Sequence, residues 1–99
     1  MIEVLFFEGC PNHEPTLELA RDVVAELGVD AEIREVEIHD ADDALRQQFL
    51  GSPSVRVDGV DIEPGAAERT EFAFGCRVYG VSGVPPRRYL VRALQGGPA

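Results

Sequence analysis

Lysine is missing from this chain of 99 residues. All nine basic residues are arginine, so no lysine amine is present for Schiff-base chemistry. Positive charge of any kind is scarce. Eighteen acidic residues set a net charge of −9 at pH 7 and a pI near 4.5, a field that repels phosphate backbones and anionic headgroups. Neither nucleic acid nor a membrane surface is an expected partner. Long apolar runs are missing too: the stretch from Ile2 to Phe7 ends after about six residues, too short to span a bilayer. Met1-Ile2-Glu3 lacks the positive start of a signal peptide, so the expected address is the cytoplasm. Cysteine occurs twice, which does not suggest a disulfide scaffold in a cytosolic chain and leaves reactive, metal-binding or incidental thiols. No internal repeat or low-complexity tract is present. The many carboxylates are scattered without the paired spacing of a calcium loop and suit surface solvation.

With 44% hydrophobic and 27% charged residues, the composition is that of one soluble domain, expected over residues 1–95 with a flexible tail at 96–99. Ile2-Glu3-Val4-Leu5-Phe6-Phe7 is β-rich and apolar on both faces, as a strand in the middle of a covered sheet should be. Leu17, Ala20, Val23, Val24 and Leu27 recur every three or four residues, which predicts a helix over 14–27 stopped by Gly28. Pro15 requires that helix either to kink or to begin nearer His13. Ile33, Val36 and Ile38 mark a second strand over 31–38, made parallel to the first by the helical crossover.

Asp40 is placed to cap a short helix with Ala41, Ala44, Leu45 and Phe49 inward and Gly51 at its end. Val55-Arg56-Val57 and Val60-Asp61-Ile62 flank Asp58-Gly59, a strong two-residue hairpin signal. A last helix over 86–95 carries Tyr89, Leu90, Ala93 and Leu94 inward and stops at Gly96. Between 63 and 85 the signal weakens: Phe72, Phe74, Cys76 and Val78 alternate with Ala73, Gly75, Arg77 and Tyr79, but the glycines argue for a packed loop, and this segment is read as an irregular insertion.

Cys10-Pro11-Asn12-His13 falls at the first strand-to-helix turn. Backbone N–H groups and the positive end of a helix dipole favour thiolate there, the form that attacks disulfides or binds soft metals. His13 would hydrogen-bond that thiolate, join a metal site, or merely cap the helix. Cys76 is either a partner thiol, with Arg77 beside it to stabilise its thiolate, or a small buried hydrophobe. Pairing it with Cys10 needs Cα atoms within about 7 Å, hence a loop that returns over the first helix. His39 reads as a solvated cap. Arg77, Arg87, Arg88 and Arg92 would receive a carboxylate such as that of glutathione, or form a solvated face.

The order βαβ, helix, β-hairpin, helix, with Cys10 at the first turn and Ser52-Pro53 opening the third strand, resembles the thioredoxin-like superfamily. The resemblance covers the chain apart from the insertion. It implies an α/β fold of order β-α-β-α-β-β-α, with a four-stranded mixed sheet flanked by helices. It also implies a cis proline at Pro53, with the Ser52-Pro53 loop against Cys10, where its backbone can pair with a bound peptide or thiol. The phrase Phe7-Glu8-Gly9-Cys10-Pro11-Asn12-His13 is similar to that of small bacterial thioredoxin-family proteins, some with mercury-related labels. Where the family has a second cysteine two residues on, this chain has His13. A lone Cys10 needs glutathione, another protein or a distant thiol to resolve a mixed disulfide.

Three readings follow. In the first, a thiol-disulfide oxidoreductase without cofactor uses Cys10 as nucleophile with His13, Cys76 as resolving thiol, and Ser52, Pro53 and Arg77 to hold a thiol or disulfide substrate, glutathione among the candidates. In the second, Cys10, His13 and Cys76 hold mercury, copper or zinc. In the third, a noncatalytic interaction domain, monomer or homodimer, offers its Val60-Asp61-Ile62 edge for strand pairing.

Overall fold

The computed structural model describes residues 1–80 and 82–96. Of the expected tail, residues 97–99 lie outside the described residues. Strand β1 (Ile2–Phe6) is followed by α1 (His13–Leu27), β2 (Ile33–Glu37), α2 (Ala41–Arg46), β3 (Ser54–Val57), β4 (Val60–Asp61) and α3 (Arg87–Leu94). The four strands form one mixed sheet in the order β2-β1-β3-β4. β1 runs parallel to β2, with Val4 opposite Glu35, and antiparallel to β3, with Val4 opposite Val55. The architecture is therefore α/β, with three helices around a four-stranded mixed sheet, as expected.

The two-residue period of β1 divides the core. Ile2 and Val4 pack with Leu17, Ala20 and Val23 of α1, Leu90 of α3, and Val55 and Ile62. Leu5 points the other way, into Ile38, Ala44 and Phe49 beside α2. Burial of each valine, leucine, isoleucine or phenylalanine among them contributes about 1.5–3 kcal/mol. This two-sided burial explains why β1 is apolar throughout.

Pro15 is accommodated without a break: α1 starts at His13, so the missing proline N–H falls in the first turn, where no intrahelical acceptor exists. Gly28 closes the helix at φ 64°, its N–H on the Ala25 carbonyl. Asp40 caps α2 by accepting the Asp43 N–H at 2.8 Å, and Asp43 in turn accepts the His39 N–H at 3.0 Å. That bond to His39, with Arg46 beside it and some opposition from desolvation, holds the Asp43 carboxyl below its ordinary value.

Helix α2 departs from the expected stripe. It ends at Arg46, and Leu45 is 59% exposed. Phe49 reaches the core from outside the helix, because the chain turns through Gln48 at φ 54° first. Gly51 is not its stop. The hairpin forms as anticipated, with positive φ at both Asp58 and Gly59 (51° and 85°). β4, however, covers only Val60 and Asp61; Ile62 turns into the core. The edge available for strand pairing is thus shorter than the three residues expected.

Candidate functional site

The C-terminal end of β1 and the start of β3 meet at Ser52. The Ser52-Pro53 peptide is cis, and the Ser52 hydroxyl accepts the Phe7 N–H at 3.3 Å. Phe7 also anchors the cysteine turn: its carbonyl accepts the Cys10 N–H at 3.2 Å, and the Cys10 carbonyl accepts the His13 N–H at 3.3 Å. Cys10 is half-buried and its thiol is free.

The segment 73–79 returns to this same point as a strap. The Ser52 N–H donates to the Gly75 carbonyl at 2.8 Å, and the Arg77 N–H donates to the Ser52 carbonyl at 3.0 Å, a single parallel bridge centred on Cys76. The rings of Phe7 and Phe74 sit 5.1 Å apart. Further along, Gly83 closes on α1: a Cβ built there would meet the Asn12 side chain at 2.1 Å. The loop therefore does return to the start of the first helix. Cys10 and Cys76 both border the Phe7 to Ser52 contact, one through Phe7 and the other through Ser52.

From Phe74 to Tyr79 the alternation in the strap sequence becomes an alternation of exposure. Phe74, Cys76 and Val78 are exposed, whereas Arg77 and Tyr79 are buried. The cause is a polar network under the strap. Arg77 donates to Asp61 at 2.7 and 3.0 Å, to Glu63 at 2.8 Å and to Ser54 at 2.9 Å, while its Nε is buried without a partner among the described residues. The guanidinium lies 4.5 Å from the Tyr79 ring centroid, and the Tyr79 hydroxyl donates to the Pro53 carbonyl at 2.6 Å. Burial opposes the Arg77 charge, yet the Asp61 and Glu63 carboxylates outweigh it and hold its pKa above the ordinary value. Burial pushes the Tyr79 phenol up; Arg77 opposes this, and Asp61 and Glu63 reinforce it.

Both roles expected of Arg77 are corrected, as is the buried reading of Cys76. Arg77 turns its guanidinium inward, to the face opposite Cys76, and all of its hydrogen bonds are internal, so it lies neither beside the Cys76 thiol nor at an open surface. Cys76 is not a buried hydrophobe but an exposed thiol. Gly51 owes its place to this network, since a Cβ at its φ of 120° would lie 2.9 Å from Arg77 Cβ.

His13 also goes elsewhere. Its ring stacks on Phe6 at 3.6 Å between centroids, with 6° between planes, and its Nε2 pairs with Glu35 at 2.7 Å. Among the described residues no hydrogen bond joins the His13 ring to the Cys10 thiol. The soft-metal ligand set of Cys10, His13 and Cys76 is not assembled either: the ligand atoms that converge within 4.8 Å belong to His13, Glu14 and Glu35. His39 is exposed, 3.5 Å from Glu37. Arg87 pairs with Glu26 and Arg88 sits 5.1 Å from the Tyr89 ring centroid, so these two serve the outer side of α1 and α3.

Asp61, Glu63, Ser54, Tyr79, Phe7 and Phe74 take part in the site without having been singled out. One signal for them existed: Arg77 and Tyr79 keep a period of two, as do Asp61 and Glu63, which is the spacing needed to face one another across extended segments. No family model matches the chain, and no curated protein or solved structure matches it. No helix among the described residues is long and apolar enough to cross a membrane.

Proposed function

We propose that this is a thiol-dependent redox protein on a thioredoxin-like fold, with Cys10 as nucleophile and Cys76 as resolving thiol. The Cys10 thiolate attacks one sulfur of a substrate disulfide, forming a mixed disulfide and releasing one thiolate, which takes a proton from solvent. The Cys76 thiolate then attacks the Cys10 sulfur and releases the second. The substrate is reduced by two electrons, the protein dithiol is oxidised to a Cys10 to Cys76 disulfide, and an external thiol pair reduces it again. One observation carries the reading: Ser52 is hydrogen-bonded both to Phe7, which holds the Cys10 turn, and to the backbone on either side of Cys76. The element order, the sheet order β2-β1-β3-β4 and the position of Ser52-Pro53 support the thioredoxin-like assignment.

The test is disulfide exchange with purified protein, followed by mass spectrometry. Cys10→Ser is expected to abolish exchange. Cys76→Ser is expected to leave the first step intact and to accumulate a mixed disulfide on Cys10. Exchange that survives in Cys10→Ser would falsify the proposal.

A further inference from the structure

We infer that the substrate of the Cys10 site is a low-molecular-weight disulfide free of anionic groups, rather than glutathione disulfide or an extended polypeptide; this inference rests on the redox reading above. Charge is the first argument. Glu8 and Glu14 flank Cys10 in sequence and have no cationic partner among the described residues, and Glu35 is met only by His13. The arginines offer no compensation there. Arg34, Arg46, Arg56, Arg69, Arg77 and Arg87 are each committed to a carboxylate or a backbone carbonyl. Arg21 stands eight residues into α1 from His13, about 12 Å at the rise of a helix, and Arg88 and Arg92 are carried by α3. With the net charge of −9 behind it, the turn presents a negative field to an approaching carboxylate.

Backbone valence is the second argument. A peptide that adds to a sheet needs free N–H and C=O groups along an edge. Around this thiol the Cys10 N–H and C=O are bonded within the turn, the Phe7 N–H is on Ser52, and the Ser52 N–H and C=O are on the strap. The strap fills the place an incoming chain would take. Beside Cys76 the open side chains are apolar: the exposed Phe74 and Val78 on either side of it, with Phe7 packed on Phe74.

The experiment measures second-order rates of reduced protein with bis(2-hydroxyethyl) disulfide, cystamine, glutathione disulfide and an extended peptide carrying one disulfide. Each rate is divided by that of the neutral thiol N-acetylcysteinamide with the same reagent. At ~0.01 M salt the normalised rate for the hydroxyethyl compound is expected to exceed that for glutathione disulfide at least about tenfold, the low end of electrostatic steering. That gap should close toward ~1 M salt, where the Debye length falls to about 3 Å. Cystamine should be at least as fast as the hydroxyethyl compound at low salt, and the peptide slower at every salt. Glutathione disulfide or peptide reacting as fast as the neutral reagent at low salt overturns the inference while leaving the redox reading intact. Exchange with none of the four, or exchange independent of Cys10, removes both.

Discussion

Replacing Arg77 by methionine isolates what holds the strap to the body. Methionine keeps the length and apolar stem of the side chain and deletes four hydrogen bonds, those to Asp61, Glu63 and Ser54. It leaves Asp61, whose side chain is 9% exposed, as a carboxylate largely out of water with no counter-charge. Removing one partner of a buried pair costs about 3–5 kcal/mol, mostly through the charge left behind. A domain of this size has about 5–15 kcal/mol in total. At a minimum of about 4 °C per kcal/mol, the midpoint of thermal unfolding should drop by at least about 12 °C. Urea unfolding followed by far-ultraviolet circular dichroism gives the free energy directly. The mechanism also predicts a partial rescue: adding Asp61→Asn to Arg77→Met removes the stranded charge and should restore about half of the loss. An Arg77→Met loss below about 1 kcal/mol, or a double variant weaker than the single one, would show that the ion network does not secure the strap.

Gly51→Ala should cost about 2–5 kcal/mol in the same assay, combining a backbone conformation almost confined to glycine with overpacking against Arg77. Gly28→Ala, at φ 64° in open space, should cost only about 1–2 kcal/mol; equal losses at the two positions would refute the contact. The Tyr79 phenol has a raised folded pKa, so its contribution is complete below its unfolded value of about 10 and declines as pH rises through the folded value. Urea midpoints measured from about two pH units below that value to about one and a half above it should therefore fall more steeply for the native chain than for Tyr79→Phe. Parallel curves would contradict the burial assigned to Tyr79.

The elements were legible wherever one period dominated. Leu17, Ala20 and Val23 defined α1 because a single face is buried, and Asp58-Gly59 defined the hairpin because two consecutive positive φ angles need such residues. The inner stripe of α2 misled because a six-residue helix is too short for periodicity to outvote the turn at Gln48. In the strap, alternation alone left open which face is the inner one: Asp61 and Glu63 sit beneath the strap and pair with Arg77, so Arg77 takes the inner face and Phe74 and Val78 go outward. Cys10 was placed correctly at its turn by local sequence alone. The partner of His13 was not, since Glu35 lies 22 residues away on a neighbouring strand.

The enclosure of Tyr79 has an optical consequence. The chain contains two tyrosines and no tryptophan, so its aromatic emission and its near-ultraviolet ellipticity above the phenylalanine bands arise from Tyr79 under the strap and Tyr89 on α3. Tyr79 sits asymmetrically between a guanidinium and a carbonyl, whereas Tyr89 is half-solvated. With Tyr89→Phe, that signal comes from one chromophore, a native label for whether the segment bearing Cys76 is docked.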